Sequence, residues 1–392
     1  MAHYRYFIVG GGMAAAAAIK GIRKADAEGS IGLIGKEEER PYNRPPLSKG
    51  LWKGKPIEKI WRKVDDEGVD FHLGRAAVVL DPQQKLVTDD RGDNYTYERL
   101  MLATGGSPRR LPFGGEEVLY FRTLDDYRYL RSKAEGKRRF AVIGGGFIGS
   151  EIAAALMLAG QAVVMLFPEA GIGGLAFPAD LSRFLNGYYR ERGVEVMAGE
   201  MVSGIQRNGG SVTILTESGK SVSADEVVAG IGIRPNTELA EAAGLAVENG
   251  ILVDEYLHAS QPDIFAAGDV ANFYNPALQE RLRVEHEDNA NSMGALAGQN
   301  MASDNPAPYH HLPYFYSDLF DVGYEAVGEL SHKLETFADW QEPYQKGVVY
   351  FLDTGRVRGV LLWNVWDQID AARSLIAAPG PFTRRDLEGK IK

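Results

Sequence analysis

The run Phe140 to Glu151, FAVIGGGFIGSE, leaves few folds open to this chain. Apolar Ala141 to Ile143 suit a buried strand, Gly144, Gly146 and Gly149 stand at GxGxxG spacing, and an Ala/Leu/Met-rich helix former follows. Strand, tight turn and helix in that order open one half of a doubly wound α/β sheet. The first glycine permits the turn, the second lets backbone N–H groups approach a pyrophosphate, and the third lets helix and strand pack closely. The helix N-terminus then presents unpaired N–H groups and its positive dipole end to the anion. Glu169 follows Gly149 by 20 residues, where a carboxylate binds the two hydroxyls of a ribose and repels a 2′-phosphate.

The same device stands at the start of the chain. Tyr6 to Val9 read as a strand, Gly10 and Gly12 open a GxGxxA loop with Ala15 in third place, and an alanine run forms the helix. A second strand, Ser30 to Gly35, is followed by Lys36, Glu37, Glu38 and Glu39; Glu37 is taken as the ribose acid, with its neighbours as substitutes. PYNRPPLSKGLW, Pro41 to Trp52, is too rigid for a linker. Leu100 to Gly106, LMLATGG, ends a strand in a small-residue turn, and Val227 to Asn236, VVAGIGIRPN, is an apolar strand closed by Gly and Pro. QPDIFAAGDV places Asp269 after a buried strand and Gly268, at an expected helix start. Helices are predicted over 121–132, 179–192 and 283–301, the last with Glu285, His286, Glu287 and Asp288 in its first turn. From Pro313 the pattern turns to alternating aromatic strands, an antiparallel sheet finished by a helix over 368–378. The fold class expected is α/β: two Rossmann-like dinucleotide-binding domains plus a C-terminal α+β domain with an antiparallel sheet.

With 392 residues the chain has room for two or three domains. It contains no cysteine, which excludes disulfides, thiolate metal sites, iron–sulfur ligation and any thiol relay. Net charge is −10 and the longest basic tract is the KRR at 137–139, so no nucleic-acid or anionic-lipid footprint is expected. Ile152 to Pro168 carries no charge, but Gly160 and Gln161 divide it into helix and strand, and the apolar N-terminus matches a phosphate loop better than a signal peptide. A cytoplasmic protein that neither enters nor binds a membrane is therefore expected. Glu285, His286, Glu287, Asp288, His310 and His311 lack metal-ligand spacing, so no metal is expected.

Two dinucleotide loops, ATGG, AGIGIRPN and DIFAAGD in this order resemble the FAD-dependent pyridine-nucleotide reductases. PYNRPPLSK narrows the resemblance to the branch holding oxygenase-coupled ferredoxin reductases and apoptosis-inducing factor, and LFPE, RVEHEDNA, LAGQNM and YSDLFDVGYEAVG are most similar to the latter. The resemblance implies an FAD domain over 1–115 and 244–310, an NAD domain over 116–243 and a C-terminal interface or dimerisation-type domain over 311–392. It implies FAD at Gly10, Gly12, Met13, Ala14, Ala15, Glu37, Arg44, Ala103, Thr104, Gly105, Gly268 and Asp269. The resemblance implies NADH at Gly144, Gly146, Phe147, Ile148, Gly149, Glu169 and Gly232. Lys49 and Glu151 match the lysine–glutamate pair beside the flavin, Phe147 the aromatic that yields to nicotinamide, and Glu285 and His286 the residues near its carboxamide. Tyr316 stands where a tryptophan often covers the flavin, Lys36 where the family places its first ribose acid, and the long insertion of the animal apoptosis proteins has no room after Trp340. The implied activity is hydride transfer from NADH to FAD and then electron transfer to a ferredoxin or rubredoxin. The alternative is a regulatory NADH-responsive flavoprotein of apoptosis-inducing factor type. A homodimer is a candidate assembly.

Overall fold

The structure, a computed structural model, describes residues 1–64 and 67–392. The chain divides into two compact units, one made of 1–44, 57–107 and 234–313, the other of 45–56, 108–233 and 314–392.

In the first unit the strands Val69–Leu73, Ile31–Gly35, Ala2–Val9 and Asn94–Leu102 lie parallel in that order. The long strand Asn94–Leu102 then serves two partners. Its end pairs in parallel with Ile264–Ala266, and its start pairs antiparallel with Leu86–Asp89. The alanine-rich helix Met13–Ala25 packs on the helix Glu287–Met301 with the backbones almost touching. A Cβ on Gly294 would lie 2.3 Å from Ala14 O, one on Gly298 2.1 Å from Ala18 O, and one on Gly21 2.1 Å from Ala295 O. Glycine is required at each place because any side chain would force the helices apart.

In the second unit five parallel strands run in the order Glu195–Ala198, Ala162–Phe167, Arg139–Ile143, Glu226–Ala229, Val118–Tyr120. The strands Tyr314–Leu319, Val322–Gly328, Arg356–Trp363, Lys346–Asp353 and Glu335–Glu342 form an antiparallel sheet. Its core is aromatic, with Tyr324, Tyr350, Phe351 and Trp363 fully buried. The hairpin from Trp340 into Lys346–Asp353 is short. The helices expected over 121–132, 179–192 and 368–378 are present as Leu124–Lys133, Ala179–Glu191 and Ile369–Ala377.

Three expectations need correction. Asp269 does not start a helix: Gly268, at φ +81°, turns the chain into the strand Ala271–Asn275, which pairs with Ile251–Leu252 and Glu280–Leu282. The helix expected from Arg283 begins at Glu287, because Arg283 is held back by the carbonyl of Asp269 and His286 is the extended N-cap residue. The strand expected over 227–236 breaks at Gly230 to Gly232, where Gly232 has φ +89°, and resumes at Ile233–Pro235.

Candidate functional site

The two glycine loops are built to one plan. Gly10 N donates to Ile34 O and Ala103 N to Val9 O, both at 2.8 Å; Gly144 N donates to Leu166 O and Gly230 N to Ile143 O, both at 2.9 Å. The first glycine of each loop has positive φ, +122° at Gly10 and +111° at Gly144. A Cβ there would lie 2.1 Å from Ala103 O or 2.4 Å from Gly230 O. The ATGG turn of the first unit and the AGIG turn of the second therefore hold equivalent places, each leaving room only for glycine.

Both loops suit a pyrophosphate. The second glycines, Gly12 and Gly146, are extended N-cap residues, and a Cβ on either would meet nothing within 4 Å. Neither helix has a side-chain cap or an acidic residue in its first turn. By contrast, the helix Leu124–Lys133 is closed by Thr123 and Asp126 in a capping box. Helix ends left uncapped beside open space fit a dinucleotide anion. Met13 and Ala14 begin the first helix and Phe147 and Ile148 the second, while Ala15 and Gly149 are buried at the strand crossing. A Cβ on Gly149 would lie 2.0 Å from Gly144 O.

In the first unit Glu37 accepts from Tyr42 OH at 2.5 Å and is ion-paired with Arg44. Burial pulls the Arg44 guanidinium down, but Tyr42, Glu37 and Asp269 outweigh it and hold its pKa above the usual value. Arg283 donates to Asp269 O at 3.2 Å and pairs with Glu285 at 2.8 Å. Burial pushes the His286 imidazole down to about 4 against the opposing pull of Asp269 and Asp288, so it is neutral at pH 7. Thr104 and Gly105 are stapled by Asn236, which accepts from Thr104 Oγ1 at 2.7 Å and donates to Thr104 O at 2.8 Å and Gly105 O at 3.0 Å. Gly268 N donates to Met293 Sδ at 3.4 Å.

In the second unit Lys49 follows a single 3-10 turn, Pro45–Leu47, and its Nζ lies 2.7 Å from Glu151 Oε1. Glu151 is 3% exposed. Its charge is met by two further donors, Ser48 Oγ to Oε2 at 2.6 Å and Ser317 Oγ to Oε1 at 2.5 Å. Lys49 Nζ also stands 5.4 Å from the centroid of the Tyr316 ring. Phe147 is half-buried, its ring 5.0 Å from that of Phe315 and 6.3 Å from that of Phe177. Glu169 lies two residues past the end of the strand Ala162–Phe167 and accepts no side-chain hydrogen bond among the described residues. The loop after it folds back, Gly173 N donating to Gly145 O at 2.8 Å. Gly232 lies at the end of the break in the strand, with Arg109 N donating to its carbonyl.

Sequence reasoning missed Ser48, Ser317, Asn236 and Arg283. Ser48 sits beside Lys49 in PPLSK and Ser317 beside Tyr316 in YSD, so adjacency to a charged or aromatic candidate was the available signal.

Residues 4–294 match the pyridine nucleotide-disulphide oxidoreductase family, and residues 336–378 match the C-terminal region of mitochondrion-associated apoptosis-inducing factor. The chain is 36% identical to a mitochondrial apoptosis-inducing factor 1 of Dictyostelium discoideum over 98% of its own length and 79% of that protein's. It is 34% identical to the ferredoxin–NAD(+) reductase component of an anthranilate 1,2-dioxygenase system from Burkholderia cepacia, over 95% of this chain and 94% of that one. Its fold matches a crystal structure of a covalent putidaredoxin reductase–putidaredoxin complex with a TM-score of 0.89 and 31% identity, covering 96% of this chain and 94% of that one. The chain belongs to the pyridine nucleotide-disulphide oxidoreductase family. It is an FAD-dependent oxidoreductase that uses NAD(H). Lacking cysteine, it has no dithiol with which to reduce a disulfide. Among the described residues no helix is long and apolar enough to cross a membrane.

Proposed function

We propose that the protein moves electrons from NADH to a small iron–sulfur carrier of the ferredoxin or rubredoxin type, in the cytoplasm. When bound, FAD supplies the conversion of a two-electron donor into single electrons. The observation that carries the reading is the pairing of half-buried Lys49 with buried Glu151 in a chain with no cysteine. Only one of the three Lys49 N–H groups is needed by Glu151, which leaves the ammonium able to stabilise negative charge on the flavin edge. Phe147 rests on Phe315 and Phe177, an apolar bed from which it would cover the reacting edge and yield to nicotinamide. Gly144, Gly146, Ile148 and Gly149 hold the NADH pyrophosphate, Gly232 lies along the dinucleotide, and Glu169 takes the ribose hydroxyls and so selects NADH over NADPH. Gly10, Gly12, Met13, Ala14, Ala15, Ala103, Thr104, Gly105, Gly268 and Asp269 hold FAD, with Glu37 and Arg44 at its adenosine end. Tyr316, beside Lys49, would cover the flavin, and Glu285 and His286 would meet the carboxamide end of the nicotinamide.

The match of residues 336–378 favours a second reading, an NADH-responsive regulatory flavoprotein. Reducing the purified yellow protein with NADH under air separates the two. Reoxidation that is rapid only when a ferredoxin is present supports electron transfer, and a persistent long-wavelength band supports the regulatory reading. Lys49→Met tests the site itself: it leaves Glu151 buried without its cation, costs about 3–5 kcal/mol of stability, and slows flavin reduction by about 100-fold. Unchanged stopped-flow reduction with full flavin content would remove Lys49 from the mechanism.

A further inference from the structure

Glu151 lies four residues beyond Phe147 on the helix Phe147–Leu158 and is 3% exposed. An ammonium and a carboxylate 2.7 Å apart in such a place have an alternative state. The N–H bond breaks, an O–H bond forms on Oε1, and a neutral amine and a neutral acid remain with no charge to bury. A neutral amine has no field to offer a developing anion.

What decides between the two states is everything else around the carboxylate. Ser48 Oγ donates to Oε2 at 2.6 Å and Ser317 Oγ to Oε1 at 2.5 Å, from segments of sequence 103 residues before and 166 residues after Glu151. Both hydroxyls favour the ionised form, since donors to a carboxylate lower its proton affinity. The other titratable groups facing Glu151 are Tyr189, from the helix Ala179–Glu191, and Tyr324, from the strand Val322–Gly328. Burial holds both phenols well above 10, so they stay neutral; Asp318 acts on Tyr324 in the same direction.

We propose that Ser48 and Ser317 are positioning residues that keep the shared proton on Lys49 Nζ, so that the ammonium retains its full charge beside the reacting edge. This rests on the role given to Lys49 above. The lysine and glutamate alone form a pair whose proton is free to collapse; the two serines make it a fixed cation.

The test is infrared spectroscopy on the purified protein with 13C-labelled glutamate, the Glu151 signal being assigned by difference from Glu151→Gln. Wild type, S48A, S317A, the double variant and S317T are compared at one neutral pH and also reduced with NADH. Moving a proton from Nζ to Oε1 takes none from solvent, so each lost hydroxyl is expected to convert carboxylate absorbance into a protonated-carboxyl band at fixed pH, absent in the wild type and strongest in the double variant. S317T should lose that band, and the rate of flavin reduction should follow the ionised fraction across the series. A carboxylate signal unchanged in both single variants overturns the proposal, and either single variant serves if the double one does not fold. If the wild type is not reduced by NADH, the role of Lys49 fails, while the infrared band still reports where the proton sits.

Discussion

At the first glycine loop, Gly12 is half-buried and the helix behind it is clamped, backbone to backbone, by Gly294 and Gly298 of the helix Glu287–Met301. At the second, Gly146 is exposed and Ile148 beside it is 40% exposed. The acids that follow the neighbouring strands differ in the same sense. Glu37 is already committed to Tyr42 and Arg44, whereas the Glu169 carboxylate has its acceptor capacity open among the described residues. One backbone plan thus suits two kinds of occupancy. A sheltered cradle with prearranged partners suits a cofactor that stays, and an open one with a free acceptor suits a cofactor that comes and goes.

The sharpest way to break this contrast is to put alanine at the first glycine of each loop. Gly10→Ala and Gly144→Ala each impose a Cβ on a backbone oxygen at positive φ, a strain of about 3 kcal/mol. We expect Gly10→Ala to be purified without flavin and with a lowered Tm. Gly144→Ala should stay yellow and lose reduction by NADH. Loss of flavin from both to the same degree would erase the distinction.

A smaller effect is expected at the two acids. Glu169→Gln should lower kcat/KM for NADH by about tenfold, with flavin content unchanged, and narrow the preference over NADPH. Glu37→Gln should leave the NADH constants alone and weaken flavin retention. Steady-state assays with both nucleotides, alongside flavin released on boiling, decide this; a preference for NADPH in the wild type would overturn the assignment of Glu169.

The last effect is one of pH. His286 is held neutral in the folded protein with a pKa of about 4, below its unfolded value of about 6.5. The unfolded chain binds the extra proton first, so His286 contributes stability above about pH 6.5 that is lost as pH falls toward 4, roughly 3 kcal/mol in all. Thermal melts should fall over this window, and His286→Gln should flatten that part of the slope. An unchanged slope would show that another group carries the acid limb.

Local chemistry explains what could be read in advance. GxGxxG, the GxGxxA variant and the aromatic alternation after Pro313 each depend on near neighbours, and the corresponding strands and helices stand where they were expected. Asp269 misled because a buried strand followed by Gly–Asp is also how a chain turns into another strand, and the pairing with Ile251–Leu252 and Glu280–Leu282 that decides the matter is not local. Ser48, Ser317 and Asn236 escaped for the same reason. Their hydrogen-bond partners are 103, 166 and 132 residues away, and a single sequence does not show which distant group a hydroxyl or amide will meet.

The strand Asn94–Leu102 finds its partner Ile264–Ala266 roughly 160 residues later. On a ribosome adding about 5–20 residues per second, that interval is about 10–30 s during which the edge at Leu100 to Leu102 has no native neighbour. The clamp of Gly294 and Gly298 arrives later still. The nascent chain therefore emerges with the first cradle unfinished, and a message cut short before residue 264 encodes a product that never completes it.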